Sequence, residues 1–290
     1  MKPPDTVRIE AGQGGLQRVI VKTPLADAEI YLHGAHVTHF QPRGQKPVVF
    51  MSGKSLFESG KAIRGGVPIC FPWFGAREDG REGPAHGFAR LQEWEPISAK
   101  DTPSGVTEVI LRLTSDAVTR RLWDGDFEVH YTVKVGSSLG LELRVRNTSN
   151  KPMQFEEALH SYLAVSDVKQ VSIEGLAGVT YSDRVGTLHT ETEGAAPIRI
   201  TAETDRIYMN TRSTCVVHDP GWQRKLVVEK SGSDSTVVWN PWIAKAKALA
   251  DFGDDEWPTM LCIETCNVRD QAITLAPGES HVMTAAIHAE

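Results

Sequence analysis

Phe127, Val129, Tyr131, Val133 and Val135 alternate with polar residues, and Leu139, Leu141, Leu143 and Val145 repeat the pattern directly afterwards. A period of two sends successive side chains to opposite faces of an extended chain, so each segment predicts a strand with one dry and one wet face. Gly136-Ser137-Ser138 between them is a hairpin connection, and the pair predicts an antiparallel sheet packed on one side. Similar short segments recur at 16–23, 28–33, 35–40, 106–114, 153–165, 226–229, 236–239, 260–265 and 281–288, most of them separated by Gly, Pro, Asn or Asp. Many short strands without alternating helices predict an all-β fold, a large antiparallel β-sandwich, rather than an α/β chain. One helix is expected over 242–250, with Asn240 as its cap and Pro241 at the first helical position. No repeat, low-complexity linker or shift of composition divides the chain, so residues 1–290 read as a single domain.

Composition narrows the function. A chain of 290 residues, 40% hydrophobic and 23% charged, buries enough apolar surface to fold without staples or metals. Its net charge of −6 supplies no basic field, so neither nucleic acid nor an anionic membrane is an expected partner, although local arginines can still hold a small anion. The first residues lack the apolar core of a signal peptide, and no run approaches the ~20 apolar residues of a membrane span. Cys70, Cys215, Cys262 and Cys266 form no CxxC pair, and reduced thiols in the cytoplasm are the simplest expectation. His33, His36 and His39 suggest a metal, but a spacing of three puts neighbours on opposite faces of a strand and Gly34 interrupts any helix, so no metal site is expected there.

Four stretches carry possible chemistry. In Lys61–Gly75 the glycines Gly65 and Gly66 allow close backbone approach, and Pro68 and Pro72 stiffen the chain beyond them. Arg64 is then either a surface arginine on an ordinary turn or a fork for a phosphate or carboxylate. His86 and Arg90 flank Gly87 in Pro84–Arg90, either as a structural pair or as a second anion grip. In Glu156–Val165, Ala158, His160 and Tyr162 share one strand face, and His160 is either a satisfied core histidine or lines a polar cleft. Glu264 sits inside the apolar run Met260–Asn267, where a carboxylate is costly unless it is paired or functional. No G-x-S-x-G elbow, Walker loop or dinucleotide fingerprint is present.

Taken in order, AIRGGVPICFPWFG at 62–75, PAHGFAR at 84–90, ALHSYLAV at 158–165, TDRIY at 204–208, VVWNPW at 237–242 and MLCIETCNV at 260–268 resemble the hexose-6-phosphate mutarotases, a branch of the aldose 1-epimerase (galactose mutarotase-like) superfamily. The resemblance implies a β-supersandwich and an isomerase acting at the anomeric carbon without cofactor or metal. It implies His160 as general acid and Glu264 as general base, with Arg64, Arg90, His86 and Asp205 on the sugar-phosphate site. For Asp205, an ion pair with Arg206 is the structural alternative. Some members carry glutamine where this chain has Ala85, so a substrate contact at that point is not implied.

The residue types suit the reaction. Opening a hemiacetal ring needs a proton delivered to the ring oxygen and another removed from the C1 hydroxyl; imidazole and carboxylate, with reference pKa values of ~6.5 and ~4.3, can make those transfers near neutrality. The expected ligand is therefore a small sugar phosphate bound by a monomer. Mutarotation of an unphosphorylated aldose and a non-catalytic sugar-phosphate binding module are the rival readings.

Overall fold

The computed structural model describes residues 3–77 and 79–290. Among them the chain forms two eight-stranded sheets, a four-stranded sheet and a two-stranded ribbon. The four-stranded sheet is a meander of Val7–Ala11, Gln17–Lys22, Ala26–Tyr31 and His36–Pro42. One large sheet holds the expected hairpin, Phe127–Val135 paired antiparallel to Leu139–Asn147, with Ser280–Ala289, Arg224–Ser231 and their neighbours on one side and Thr107–Thr114 on the other. Phe127, Val129, Tyr131, Val133 and Val135 are all buried, as alternation requires.

The second large sheet carries the site. Its strands run in the order His189–Thr192, Thr180–Asp183, Thr204–Met209, Ser235–Asn240, Met260–Asn267, Glu157–Leu159, Ile69–Cys70, with Tyr162–Ala164 also pairing to Met260–Asn267. Leu261, Ile263 and Val238 of this sheet and Val129, Leu141 and Ile287 of the other join one continuous buried cluster, so the two sheets share a core. Burial of each such aliphatic side chain stabilises by roughly 1.5–3 kcal/mol.

The segment expected as one strand over 153–165 is divided into Met153–Phe155, Glu157–Leu159 and Tyr162–Ala164. The division reflects its partners. Met153–Phe155 pairs with Ile273–Leu275, whereas Glu157–Leu159 and Tyr162–Ala164 lie along Met260–Asn267. The helix runs over Trp242–Ala248, shorter than expected, and Trp242 enters it with φ +54° after Pro241. The N-cap position expected of Asn240 is taken by Pro241, one residue earlier than its expected place inside the helix, and no side chain caps; Asn240 Oδ1 instead accepts from Trp242 N at 2.9 Å in the turn that enters the helix.

Candidate active site

The floor of the site is built by register. Leu159 faces Thr265 and Tyr162 faces Cys262 on the strand Met260–Asn267, and the same register sets His160 opposite Glu264. On the other side of that strand Val237 faces Glu264 and Trp239 faces Cys262, and Trp239 in turn faces Asp205. Directly paired residues project from the same face of a sheet, so His160, Tyr162, Cys262, Glu264, Val237, Trp239 and Asp205 stand on one surface. Met260–Asn267 is buried along its whole length because Leu261, Cys262 and Ile263 lie in the core cluster while Glu264 stands at the cavity floor. This resolves the carboxylate in an apolar run.

The glycine-rich segment runs along the far edge. Tyr162 N donates to Gly66 O, His160 N to Pro68 O and Glu156 N to Pro72 O, at 2.9–3.0 Å, while Ala158 pairs with Cys70. Only the carbonyls of Pro68 and Pro72 are needed there, which is why prolines are tolerated beside a strand. A Cβ on Gly66 would lie 2.3 Å from Val37 O and 2.6 Å from His36 Nε2, and Gly66 has φ +64°, so glycine is required at this crossing. The turn delivers Arg64, whose Nη1 donates to Tyr162 Oη at 3.1 Å and whose Nε donates to Asp251 Oδ2 at 3.2 Å.

Pro84–Arg90 folds back on the same loop. His86 N donates to Gly75 O at 2.7 Å, and Gly75 N donates to His86 Nδ1 at 3.2 Å. Nδ1 is thus the acceptor, and the proton of the neutral ring resides on Nε2. Burial, together with the charge of Arg90, lowers the His86 pKa to about 3, so this ring is neutral at physiological pH. Arg90 Nη2 donates to Ala85 O at 2.8 Å, while its buried Nε meets no partner among the described residues. Glu156 ties the loop down, accepting from Phe74 N at 2.7 Å and from Arg269 N at 2.6 Å.

Arg64, His86, Arg90, His160, Asp205 and Glu264 all line one cavity of about 290 Å³. The six residues expected on the sugar-phosphate site are thus brought together. Phe74, Arg184, Trp239, Lys245 and Leu249 complete the walls. No local pattern marks Arg184 or Lys245, because they arrive from a strand end and from the helix Trp242–Ala248, and only the sheet order brings them to the cavity. Trp73 does not line it; its indole N–H donates to Pro84 O and its ring carries the Arg77 guanidinium. The Asp205–Arg206 ion pair is not formed, since Arg206 reaches Asp183 and Glu193 and stacks on Tyr181, leaving Asp205 at the cavity. His33 and His36 each meet a separate backbone carbonyl, Lys61 O and Gly65 O.

His160 Nε2 lies 3.3 Å from Glu264 Oε1, with side chains 9% and 1% exposed. The His160 ring stacks on Tyr162 at 4.8 Å and meets His86 and Trp239 edge-on. Burial pushes the Glu264 carboxyl well above its ordinary range, reinforced by the nearby Asp205 charge. Burial likewise drives His160 well below its ordinary value, with His86, Arg90 and Arg64 adding in the same direction. Both directions disfavour charge on the buried pair. Glu264 Oε2 and His160 Nδ1 are buried without hydrogen-bond partners among the described residues. A polar pair left incomplete on the floor of a cavity can accept a hydroxyl group and exchange protons with it.

A protein of Cenchrus ciliaris provisionally named glucose-6-phosphate 1-epimerase is 36% identical over 276 residues, covering 91% of this chain and 82% of the relative. An Escherichia coli K12 protein with the same provisional name is 33% identical over 251 residues, covering 86% of this chain and 83% of the relative. A crystal structure from Salmonella typhimurium, described provisionally as a mutarotase, superposes with a TM-score of 0.90 at 28% identity, covering 99% of this chain and 95% of that one. The family model for aldose 1-epimerases matches residues 17–288. The chain belongs to the aldose 1-epimerase family, and it is an isomerase.

Proposed function

We propose that this enzyme interconverts the α and β anomers of hexose 6-phosphates, glucose 6-phosphate foremost, with His160 and Glu264 moving the protons. The observation that carries the reading is a buried imidazole and carboxyl 3.3 Å apart, on the floor of a cavity whose wall includes Arg64, Arg90, Arg184 and Lys245. Four cationic side chains around so small a space suit a phosphate dianion, and guanidinium groups match its geometry bidentately. The provisional names of the relatives from Cenchrus ciliaris and Escherichia coli point to the same substrate.

The chemistry proceeds in two mirrored halves. A sugar whose O1–H donates to Glu264 stabilises the ionised carboxylate, because a hydrogen bond to the charged form favours that form. The single proton of the pair then resides on His160. His160 gives it to the ring oxygen while Glu264 takes the O1 proton, the C1–O5 bond breaks and the C1 aldehyde forms. Rotation about C1–C2 presents the other face. Closure returns the O5 proton to His160 and the carboxyl proton to O1, so the enzyme is restored and nothing is oxidised or reduced. Neutral His86, with its Nε2–H, and Asp205 are suited to sugar hydroxyls, and Phe74 and Trp239 to the apolar face of the ring. Arg64 and Arg90 grip the phosphate; Arg184 and Lys245 add to the positive field.

The reading includes a monomer working in the cytoplasm, where the four free, buried cysteines would stay reduced. Its test compares anomer exchange of glucose 6-phosphate with that of glucose, by polarimetry or exchange NMR. Strong acceleration of the phosphate alone is expected. Equal acceleration of both sugars would remove the phosphate grip, and ligand-induced thermal protection without acceleration would indicate a binding module.

A further inference from the structure

Beside Glu264 and His160, which line the cavity, lies a buried thiol that does not line it and that ring opening does not use. Cys262 lies two residues from Glu264 on the same strand face, opposite Tyr162, and is fully buried. His160, Cys262 and Glu264 each offer one donor atom, and these three atoms lie within 4.8 Å of one another.

We propose that His160 Nε2, Cys262 Sγ and a Glu264 carboxylate oxygen form a binding site for a zinc-class divalent cation, which inhibits the enzyme by holding both members of the acid–base pair. Imidazole, thiolate and carboxylate are the donors that a borderline-soft ion such as Zn²⁺ takes, and magnesium and calcium, which demand six or more oxygens, are excluded by the same set. The 3.3 Å between Nε2 and Oε1 matches the edge of a tetrahedron whose metal–ligand bonds are about 2.0–2.1 Å. The sulfur needs the largest adjustment, on the order of 1 Å for a Zn–S bond of about 2.3 Å. Three protein donors leave the fourth position open toward the cavity, for water or a sugar hydroxyl.

Charge balance favours the complex in a buried place. Binding releases the thiol proton and the carboxyl proton to solvent, and the thiolate and carboxylate cancel the two charges of the ion. The resulting site is neutral, so little charge is taken out of water. Arg64 and Arg90 in the same wall oppose entry of a free dication, which makes this a reversible site rather than a permanent structural one.

Such a site goes beyond the epimerase reading, and an optical signal that needs no turnover tests it. Cobalt(II) titrated into the purified enzyme should raise a thiolate-to-metal charge-transfer band in the near ultraviolet at one equivalent, and zinc should remove it. Zinc should inhibit anomer exchange competitively with sugar phosphate, a chelator should restore activity, and magnesium should do neither. Removing a ligand costs at least as much as removing an outer partner, about 10–100-fold in affinity; Cys262→Ser, or Cys262→Ala if the serine variant folds poorly, should therefore need at least tenfold more zinc for half-inhibition and lose the cobalt band. Cys215→Ser should keep both. Absence of the band in the wild type, or its survival in the Cys262 variants, would overturn the proposal. A band without epimerisation of glucose 6-phosphate would instead count against the substrate reading alone.

Discussion

Two buried glutamates along the same strand each pair with a histidine, and the two histidines are shifted in opposite directions. Glu264 and His160 stand 3.3 Å apart in mid-strand; Glu157 and His281 stand 3.1 Å apart at its end, beside Asn267. Both carboxylates are shielded from solvent, and in both Oε2 has no partner among the described residues. The difference lies around them. Glu157 Oε1 accepts from Asn267 Nδ2 at 2.9 Å, and His281 Nε2 also reaches Gly232 O at 2.8 Å with its side chain 20% exposed. Although burial opposes it, the bond to Glu157 and its charge raise the His281 pKa. His160 lacks those extra partners, and its burial, with His86, Arg90 and Arg64 adding in the same direction, lowers its pKa. The pair with more hydrogen-bond partners favours a charged histidine; the pair that faces the cavity is the one that the proposed function gives the proton transfers.

The contrast can be broken most sharply at the cavity. Glu264→Gln and His160→Ala should each lower kcat for glucose 6-phosphate by about 10²–10⁴-fold, the usual contribution of acid–base catalysis. Glu264→Gln should leave the thermal midpoint unchanged or raised, because it removes a carboxyl that burial already disfavours in its charged form. A large fall in that midpoint with little loss of kcat would make Glu264 a structural residue like Glu157. Next in size, Arg64→Ala and Arg90→Ala should raise KM for glucose 6-phosphate by about 10–100-fold, the scale of hydrogen bonds to a charged group at 1.5–3 kcal/mol. Any residual activity on glucose should be untouched. Arg184→Ala should act in the same sense but by less than about tenfold, since its exposed side chain is well screened.

The smallest effect belongs to the other pair. His281 has a folded pKa above its unfolded value of ~6.5, so its stabilising contribution is complete below that pH and is lost as pH rises through the folded pKa. The thermal midpoint of the wild type should therefore fall by about 1–3 °C across that window relative to Glu157→Gln, in which the raising charge is gone. Equal pH dependence of the two proteins would show that His281 is not held by Glu157.

Some candidate residues stand out locally, although their roles, and Asp205 altogether, come only with the family resemblance. Glu264 interrupted an apolar run, Gly65 and Gly66 marked a close backbone approach beside Arg64, and His160 stood on a strand face that was neither wet nor dry. Arg184, Lys245 and Asp251 broke no local rule, since charged residues on a strand end, a helix or a loop are ordinary; only the cavity gives meaning to the first two, and only the contact with Arg64 to the third. Glu157 and His281 were hidden for the same reason: their pairing runs between distant strands.

What the sequence determined alone was the alternation, and with it the antiparallel sandwich, the hairpin at 136–138 and the chemical types gathered for the site. These stem from the period-two geometry of a strand, which is a local property. The register that sets His160 opposite Glu264, the order of strands that carries Asp205 and Arg184 to the same cavity, and the different partners that the two glutamate–histidine pairs find were decided by the tertiary structure. Those depend on contacts between strands far apart in the chain, and on how many partners each buried polar group finds when they close.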